Sequence, residues 1–420
     1  MNPSIASSLK TAQTAYQDGK FSEAQAAYSL VAQLDPKNVT ALEYLGALAL
    51  GNNHPDEAVG HLKQALTQAA GLQRVWPFSA QVKARLGMAY YRADRFAEAS
   101  RFFTEAAGWI KLGPFQQLAA LGKWLAAFNA EQPYIIEGPD ETRVDFVITD
   151  PLPVVKISIG KGKPAYFLID TGGSELVLDP TLAKESGAQV AATMVGEFAG
   201  AKKSALGLGR VDSIQLGDFT IRNVPVHTLD LTALSPLFGG LDIKGILGTR
   251  LLIHFLSTID YRTGALILRR TTPENLTKVK AYEAKQIPFW LVESHYIVAW
   301  GTVNGLQPML FCVDTGLAGS AFIPSDALVQ AAGIVVDWSK AEEGVGGGGK
   351  IKEVPIMIDQ LTFGSGPNEI VEHNLPGRFI ERQPIVGDQF GFTISGLISH
   401  QFFRNHTLTF DFESMLLIVQ

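Results

Sequence analysis

At 420 residues the chain is too long for one ordinary domain. Its 46% apolar and 18% charged content can build cores and is too apolar for a disordered chain. A formal charge of −6 with no basic run excludes a nucleic-acid surface, and no apolar stretch reaches the ~18 residues of a membrane span. The single cysteine, Cys312, cannot form an internal disulfide and reads as packing inside an apolar run. Met1–Lys10 lacks an apolar signal core, which leaves either a cytoplasmic protein or one whose export signal has been trimmed.

Residues 5–130 are rich in Ala, Leu, Gln and Glu and poor in β-branched residues, which is helix composition. Small residues recur 12 apart, as Ala12 and Ala24, Gly46 and Ala58, Gly87 and Ala99. Starts advance by 34 and then 41 residues, the excess of seven falling in the Gly71–Ser79 connection with its Trp76-Pro77. Small residues at matched positions let antiparallel helices approach, and Tyr16, Tyr28, Leu62, Tyr90 and Phe103 fill the remaining gap. Asp35-Pro36 closes the first unit, since proline cannot continue a helix. This pattern resembles tetratricopeptide repeats: about three helix pairs and a closing helix near Phe115–Phe128, though the early Trp of that pattern is missing. The resemblance implies a concave surface for a peptide or protein partner or, equally, a scaffold packed on its neighbour.

Residues 131–144, with Pro133, Gly138-Pro139 and several acids, read as a linker or a first edge strand. Beyond them the pattern is β. Val154–Ile159 alternates, Gly160-Lys161-Gly162-Lys163 turns, and Ala165–Ile169 returns to end in Asp170-Thr171-Gly172. The second half repeats this order. Tyr296–Val303, a turn at Asn304-Gly305, and Met309–Val313 lead into Asp314-Thr315-Gly316, 144 residues on. Gly245-Ile246-Leu247-Gly248 through Ile259-Asp260-Tyr261 matches Gly396-Leu397-Ile398-Ser399 through Phe410-Asp411-Phe412 at an offset of 151. Register held at both ends predicts two copies of one β unit, residues 145–275 and 285–420, joined by 276–284.

An Asp ending a buried strand is costly unless its charge is satisfied. Two of them, each on its own loop, are expected to meet on a pseudo-twofold axis. In contact they cannot both ionise cheaply, so they hold one proton between them. The ionised member can take a proton from a water, and the protonated one can donate to a substrate carbonyl. Thr171 and Thr315 would reach across to the opposite loop and brace it, while Gly172 and Gly316 leave room for the turn.

The paired Asp-Thr-Gly motifs, with the later Ile246-Leu247-Gly248, resemble the pepsin-like and retroviral-type aspartic proteases over residues 145–420. The resemblance implies a fused dimer of retroviral-type protomers: an α-helical repeat solenoid followed by a bilobal β-barrel protease fold with internal duplication. It makes Asp170 and Asp314 the catalytic residues. A monomer suffices, the substrate is a peptide or protein, and no cofactor, metal or nucleic acid is called for. The alternative is a degenerate relative that only binds peptides. Gly-rich flaps are expected at Val195–Gly207, with Phe198 and Gly200, and at Glu343–Lys352, with Gly346 and Gly347. The sequence departs from the family at Gly173 and Leu317, where a Ser, Thr or Ala often follows the tripeptide. It departs again in a loop about two residues longer after Gly316, and at Ser399 in place of the Gly matched by Gly248.

Other signals carry less. Gly344–Lys350 imitates a phosphate loop but is followed by Ile351 and an alternating, proline-containing stretch. The His residues lack metal-ligand spacing, no Gly-x-Ser-x-Gly turn occurs, and Glu283 and Glu293 are expected in solvent.

Overall fold

The computed structural model describes residues 3–71, 78–108, 115–381, 383, 385–388 and 390–420. Seven helices open the described chain: α1 Pro3–Gln17, α2 Phe21–Leu34, α3 Val39–Gly51, α4 Pro55–Gly71, α5 Phe78–Arg92, α6 Phe96–Ala107 and α7 Phe115–Ala126. The small residues do what their spacing requires. A Cβ on Gly46 would lie 2.5 Å from Leu62, and one on Gly87 2.5 Å from Phe103, while Ala12, Ala24, Ala58 and Ala99 are fully buried. Each pair turns through a left-handed residue, Gly19, Asn53 or Asp94, and these repeat at the same 34- and 41-residue steps. The Gly71–Ser79 connection, with Trp76 and Pro77, lies largely outside the described residues. Among the described residues no helix is long and apolar enough to cross a membrane.

The rest is β. In lobe 1 six strands close a ring: Val154–Ile159, Ala165–Ile169, Ile243–Leu247, Leu176–Leu178, Phe219–Thr228 and Lys202–Leu216, which returns to the first. Lobe 2 closes the same ring with Tyr296–Val303, Met309–Asp314, Ile394–Ser399, Phe322–Pro324, Ile370–Phe379 and Gly349–Phe363. Even the irregularities match. The parallel pairing shifts register between Tyr166 and Phe167 in one lobe and between Leu310 and Phe311 in the other.

A six-stranded sheet joins the lobes, in the order Lys285–Pro288, Leu416–Val419, Thr407–Asp411, Leu256–Asp260, Ala265–Arg269, Glu141–Asp145. Its central pair sets Thr258 opposite Thr409, 151 residues apart, with their hydroxyls 2.8 Å from one another, so the pseudo-twofold axis passes between them. Residues 131–144 are not a linker. Ile135–Glu137 pairs with Phe219–Thr228, and Glu141–Asp145 forms an edge of the joining sheet. Gly138 made this segment look like a breaker, but it turns at φ +134° between two strands that continue lobe 1.

The solenoid lies against both lobes along its turn edge. Gly19 packs on Leu310 of lobe 2, the Asn53 side chain donates to the Phe412 carbonyl at 2.9 Å, and Asp94 meets Arg250 of lobe 1.

Candidate active site

Each Asp of the paired motifs stands where a central strand of its ring leaves the barrel. Asp170 follows Ala165–Ile169 and Asp314 ends Met309–Asp314, both strands pairing in parallel with the strand before Gly248 or Ser399. The two carboxyls are hydrogen-bonded to one another. Gly172 and Gly173 N–H groups donate to Asp170 Oδ1 at 2.8 and 3.2 Å, and Gly316 N–H donates to Asp314 Oδ1 at 3.0 Å. The glycines are needed crosswise. A Cβ on Gly172 would lie 2.5 Å from Asp314 Oδ2, and one on Gly316 2.2 Å from Asp170 Cγ.

Both threonines are fully buried and each bridges to the other loop. Thr171 Oγ1 donates to the Val313 carbonyl at 2.9 Å and accepts from Thr315 N–H at 3.0 Å. Thr315 Oγ1 donates to the Ile169 carbonyl at 3.1 Å and accepts from Thr171 N–H at 3.0 Å. Four bonds across the axis thus fix the spacing of the carboxyls, and in a buried setting each unmade one would leave a polar group unsatisfied.

Burial pushes both carboxyls upward. For Asp170 the rise is opposed by hydrogen bonds from Asp314 and from the Gly172 and Gly173 amides. Asp314 goes well above the ordinary range, through burial first and then the neighbouring Asp170 charge. The pair therefore holds one proton between its two carboxyls, the protonated member donating to the ionised one. Cys312, buried two residues before Asp314, has its thiol pushed up by burial and by the two carboxyls, in keeping with a packing role.

The loops are held by different means. In lobe 1 the short helix after Gly248 grips the Asp170 loop: Thr249 N–H to Gly173 O at 3.0 Å, Arg250 N–H to Ser174 O at 2.8 Å, and Thr249 Oγ1 to Thr171 O at 2.9 Å. In lobe 2 the Ser399 hydroxyl donates to the Ser320 carbonyl, Ser399 N–H donates to Ala321 O at 3.0 Å, and His400 Nδ1 donates to Leu317 O at 3.0 Å. Ser399 is thus a holding group and no obstacle.

Sequence reading missed several supports. Buried His295, at the turn of the hairpin between Trp290–Val292 and Tyr296–Val303, donates from Nε2 to the Gly172 carbonyl at 3.1 Å and accepts from the Ser294 hydroxyl on Nδ1 at 2.8 Å. Burial lowers it to about 3, so it stays neutral. Glu175, five residues after Asp170, is fully buried, and neither its spacing nor its type announced this. Glu293, expected in solvent, is exposed, at the mouth of a cavity of about 310 Å³ between the helices and lobe 2 that Arg85, Tyr16 and Trp290 also line.

The expected flaps are hairpins. Phe198 ends Gln189–Phe198, Gly200 lies in the turn Ala199–Ala201, and the chain returns as Lys202–Leu216. In lobe 2, Gly346 ends Glu342–Gly346 and Gly347 lies in the turn before Gly349–Phe363, so the phosphate-loop lookalike is a hairpin tip. The tips touch: a Cβ on Gly347 would lie 2.5 Å from the Phe198 ring, and one on Gly346 3.4 Å from Ala199.

The protein-family model described as Aspartyl protease matches residues 155–251 and 299–393. No curated protein matches the chain. Among solved structures, the chain is similar to the N-terminal domain of stress-induced protein-1 (STI-1) from C. elegans. Identity there is 18%, over 29% of this chain and 100% of that one, with a TM-score of 0.27. It is also similar to a retropepsin-like aspartic protease from Rickettsia conorii, with 21% identity over 33% of this chain and 94% of that one and a TM-score of 0.23. Behind its helical region the chain thus has two segments, one in each β lobe, that match the Aspartyl protease family model.

Proposed function

We propose that the chain is an aspartic endopeptidase in which Asp170 and Asp314 activate water against a peptide bond. The observation that carries this reading is the hydrogen-bonded carboxyl pair held by four threonine bonds across the axis. Ionised Asp170 takes a proton from water as its oxygen attacks the amide carbon, and Asp314 gives its proton to the carbonyl oxygen. Collapse of the tetrahedral adduct returns the proton to Asp314 and passes Asp170's proton to the departing amine, with no covalent enzyme intermediate. Thr171, Gly172, Thr315 and Gly316 brace the loops. An extended peptide would lie under the two hairpins, with Phe198, Gly200, Gly346 and Gly347 at their tips.

In this reading the units are helical repeats to about residue 130, then lobes within 145–275 and 285–420. The helices would recruit substrate or a protein partner, although lobe 2 already covers part of the face formed by α3 and α5, around the cavity with Arg85 and Glu293. The test is cleavage of an unfolded protein between pH 3 and 8 by the wild type and by Asp170→Asn. Cleavage by the wild type that disappears in the variant supports the peptidase. Absence of cleavage at every pH favours a binding adaptor built on the same fold.

A further inference from the structure

Five side chains from four segments of the chain meet behind the Asp170 loop. Glu175 Oε1 accepts from the Tyr91 hydroxyl at the end of α5, and Oε2 accepts from the Tyr134 hydroxyl at 2.5 Å. Arg250, 1% exposed, donates to Asp94 Oδ1 at 2.8 Å and to the Tyr91 carbonyl at 3.2 Å, lies over the Tyr91 ring at 4.8 Å, and approaches Glu175 at 3.9 Å. The same Arg250 holds the loop through its backbone N–H on Ser174. Helical repeats, loop and short helix therefore form one bonded unit ending at the catalytic Asp.

The duplication isolates what is special here. Glu175 immediately precedes the strand Leu176–Leu178, and the residue in that place in lobe 2, before Phe322–Pro324, is Ala321. Arg250 is second in the helix Thr249–Leu252, and the second residue of His400–Phe403 is Gln401. Only the lobe whose loop backs onto α5 and the Asp94 turn has the buried acid and arginine.

We propose that Tyr91 and Asp94 of the helical repeats are positioning residues for Asp170, acting through Glu175 and Arg250, so that the helical region is a working part of the active site. This rests on the peptidase reading above. It predicts that in the full chain Tyr91→Phe and Asp94→Gly lower kcat ten- to a hundredfold with little change in KM, since displacement of a reacting group costs rate more than binding. Gly keeps the left-handed turn at position 94, and Asp94→Asn, which retains both the turn and an acceptor for Arg250, restores most of the rate. Tyr91→Phe combined with Glu175→Gln loses no more than the worse single variant.

Backbone amide exchange supplies the readout that does not depend on cleavage. Residues 170–176 exchange faster in Tyr91→Phe and Asp94→Gly, and residues 314–320 do not. Variants that melt lower yet keep wild-type kcat per folded molecule overturn the proposal, as does exchange that is unchanged or rises equally in both loops. Should the wild type cleave nothing while the exchange difference appears, the peptidase reading falls and the positioning of the loop stands.

Discussion

Lobe 1 and lobe 2 share a closed six-strand ring, the same register shift beside the central strand, and mirror-image threonine bonds, yet their Asp loops are secured differently. In lobe 1 a glycine lets a short helix press directly on the loop, and charged groups tie that helix to the solenoid. In lobe 2 the serine and histidine side chains of Ser399 and His400 reach local carbonyls, and the longer loop needs no neighbour. What lies on the axis is symmetric because each half must offer one carboxyl. What lies behind it diverged: both lobes touch the helices, but the Asp170 loop of lobe 1 backs onto Tyr91 and the Asp94 turn.

The symmetric part should break symmetrically. Gly172→Ala and Gly316→Ala each drive a methyl into the opposite carboxylate, whose position four cross-axis bonds hold. Both are expected to lower kcat by at least about a hundredfold, to similar extents, while the protein remains folded. A large difference between the two in steady-state kinetics would mean that the carboxyls are not equivalent in placement.

The divergent part should break unequally. A Cβ on Gly248 would lie 2.4 Å from both the Ser174 and Glu175 carbonyls, which are backbone and cannot move aside. Gly248→Ser is therefore expected to cost about 3 kcal/mol of stability through forced displacement. The reverse exchange, Ser399→Gly, removes the hydroxyl that bonds the Ser320 carbonyl and the Gln401 amide, and should cost about 1–2 kcal/mol. Urea denaturation of the two variants compares them directly, and equal costs would deny the difference in loop support.

This division also explains what could be read in advance. Chemistry repeated in both halves left a repeated signal: Asp170 with Asp314, Thr171 with Thr315, and the offsets of 144 and 151. Helix pairing left its signal in small residues such as Gly46 and Gly87, because close approach tolerates nothing larger. Glu175, Arg250, Tyr91 and His295 left none. Each occurs once, on segments far apart in sequence, and their meaning lies in a contact that only the assembled fold creates. Residues 131–144 could be read only as linker or edge strand for a related reason, since the strands they form take their partners, Phe219–Thr228 and Ala265–Arg269, from about 80 to 130 residues away. The role of Ser399 was hidden because a residue in the position of a family glycine looks like a loss until its hydroxyl is seen bonded.

The shared proton makes the axis itself pH-dependent. A carboxyl whose folded pKa lies above its unfolded value binds more protons when folded, so its contribution to stability falls as pH rises through that window. Burial raises both Asp314 and Asp170. Asp314→Asn and Asp170→Asn should accordingly each melt higher than wild type at pH 8, with the gap closing near pH 4. Thermal unfolding at the two pH values reads this, and a variant with no gap at pH 8 would deny that its carboxyl belongs to the raised pair.

The hairpins carry the asymmetry to its weakest expression. The lobe 1 hairpin is tied to α7, with the Gln117 amide donating to Val195 O at 3.0 Å and the Trp124 indole to Gly209 O at 2.7 Å. The lobe 2 hairpin is braced by ion pairs within its own lobe, Lys350 with Glu343 at 2.7 Å, and Arg378 of the neighbouring strand with Glu342 and Glu353. Gln117 is exposed, so Gln117→Ala should change stability by less than about 0.5 kcal/mol. Its effect belongs to motion: amide exchange at residues 194–200 should rise a few-fold and KM should shift by about twofold. Because Phe198 packs on Gly347, some loosening will pass to the lobe 2 tip, but residues 343–348 should respond less than 194–200. An equal response would make the two hairpins one mechanical unit, and α7 would then hold both.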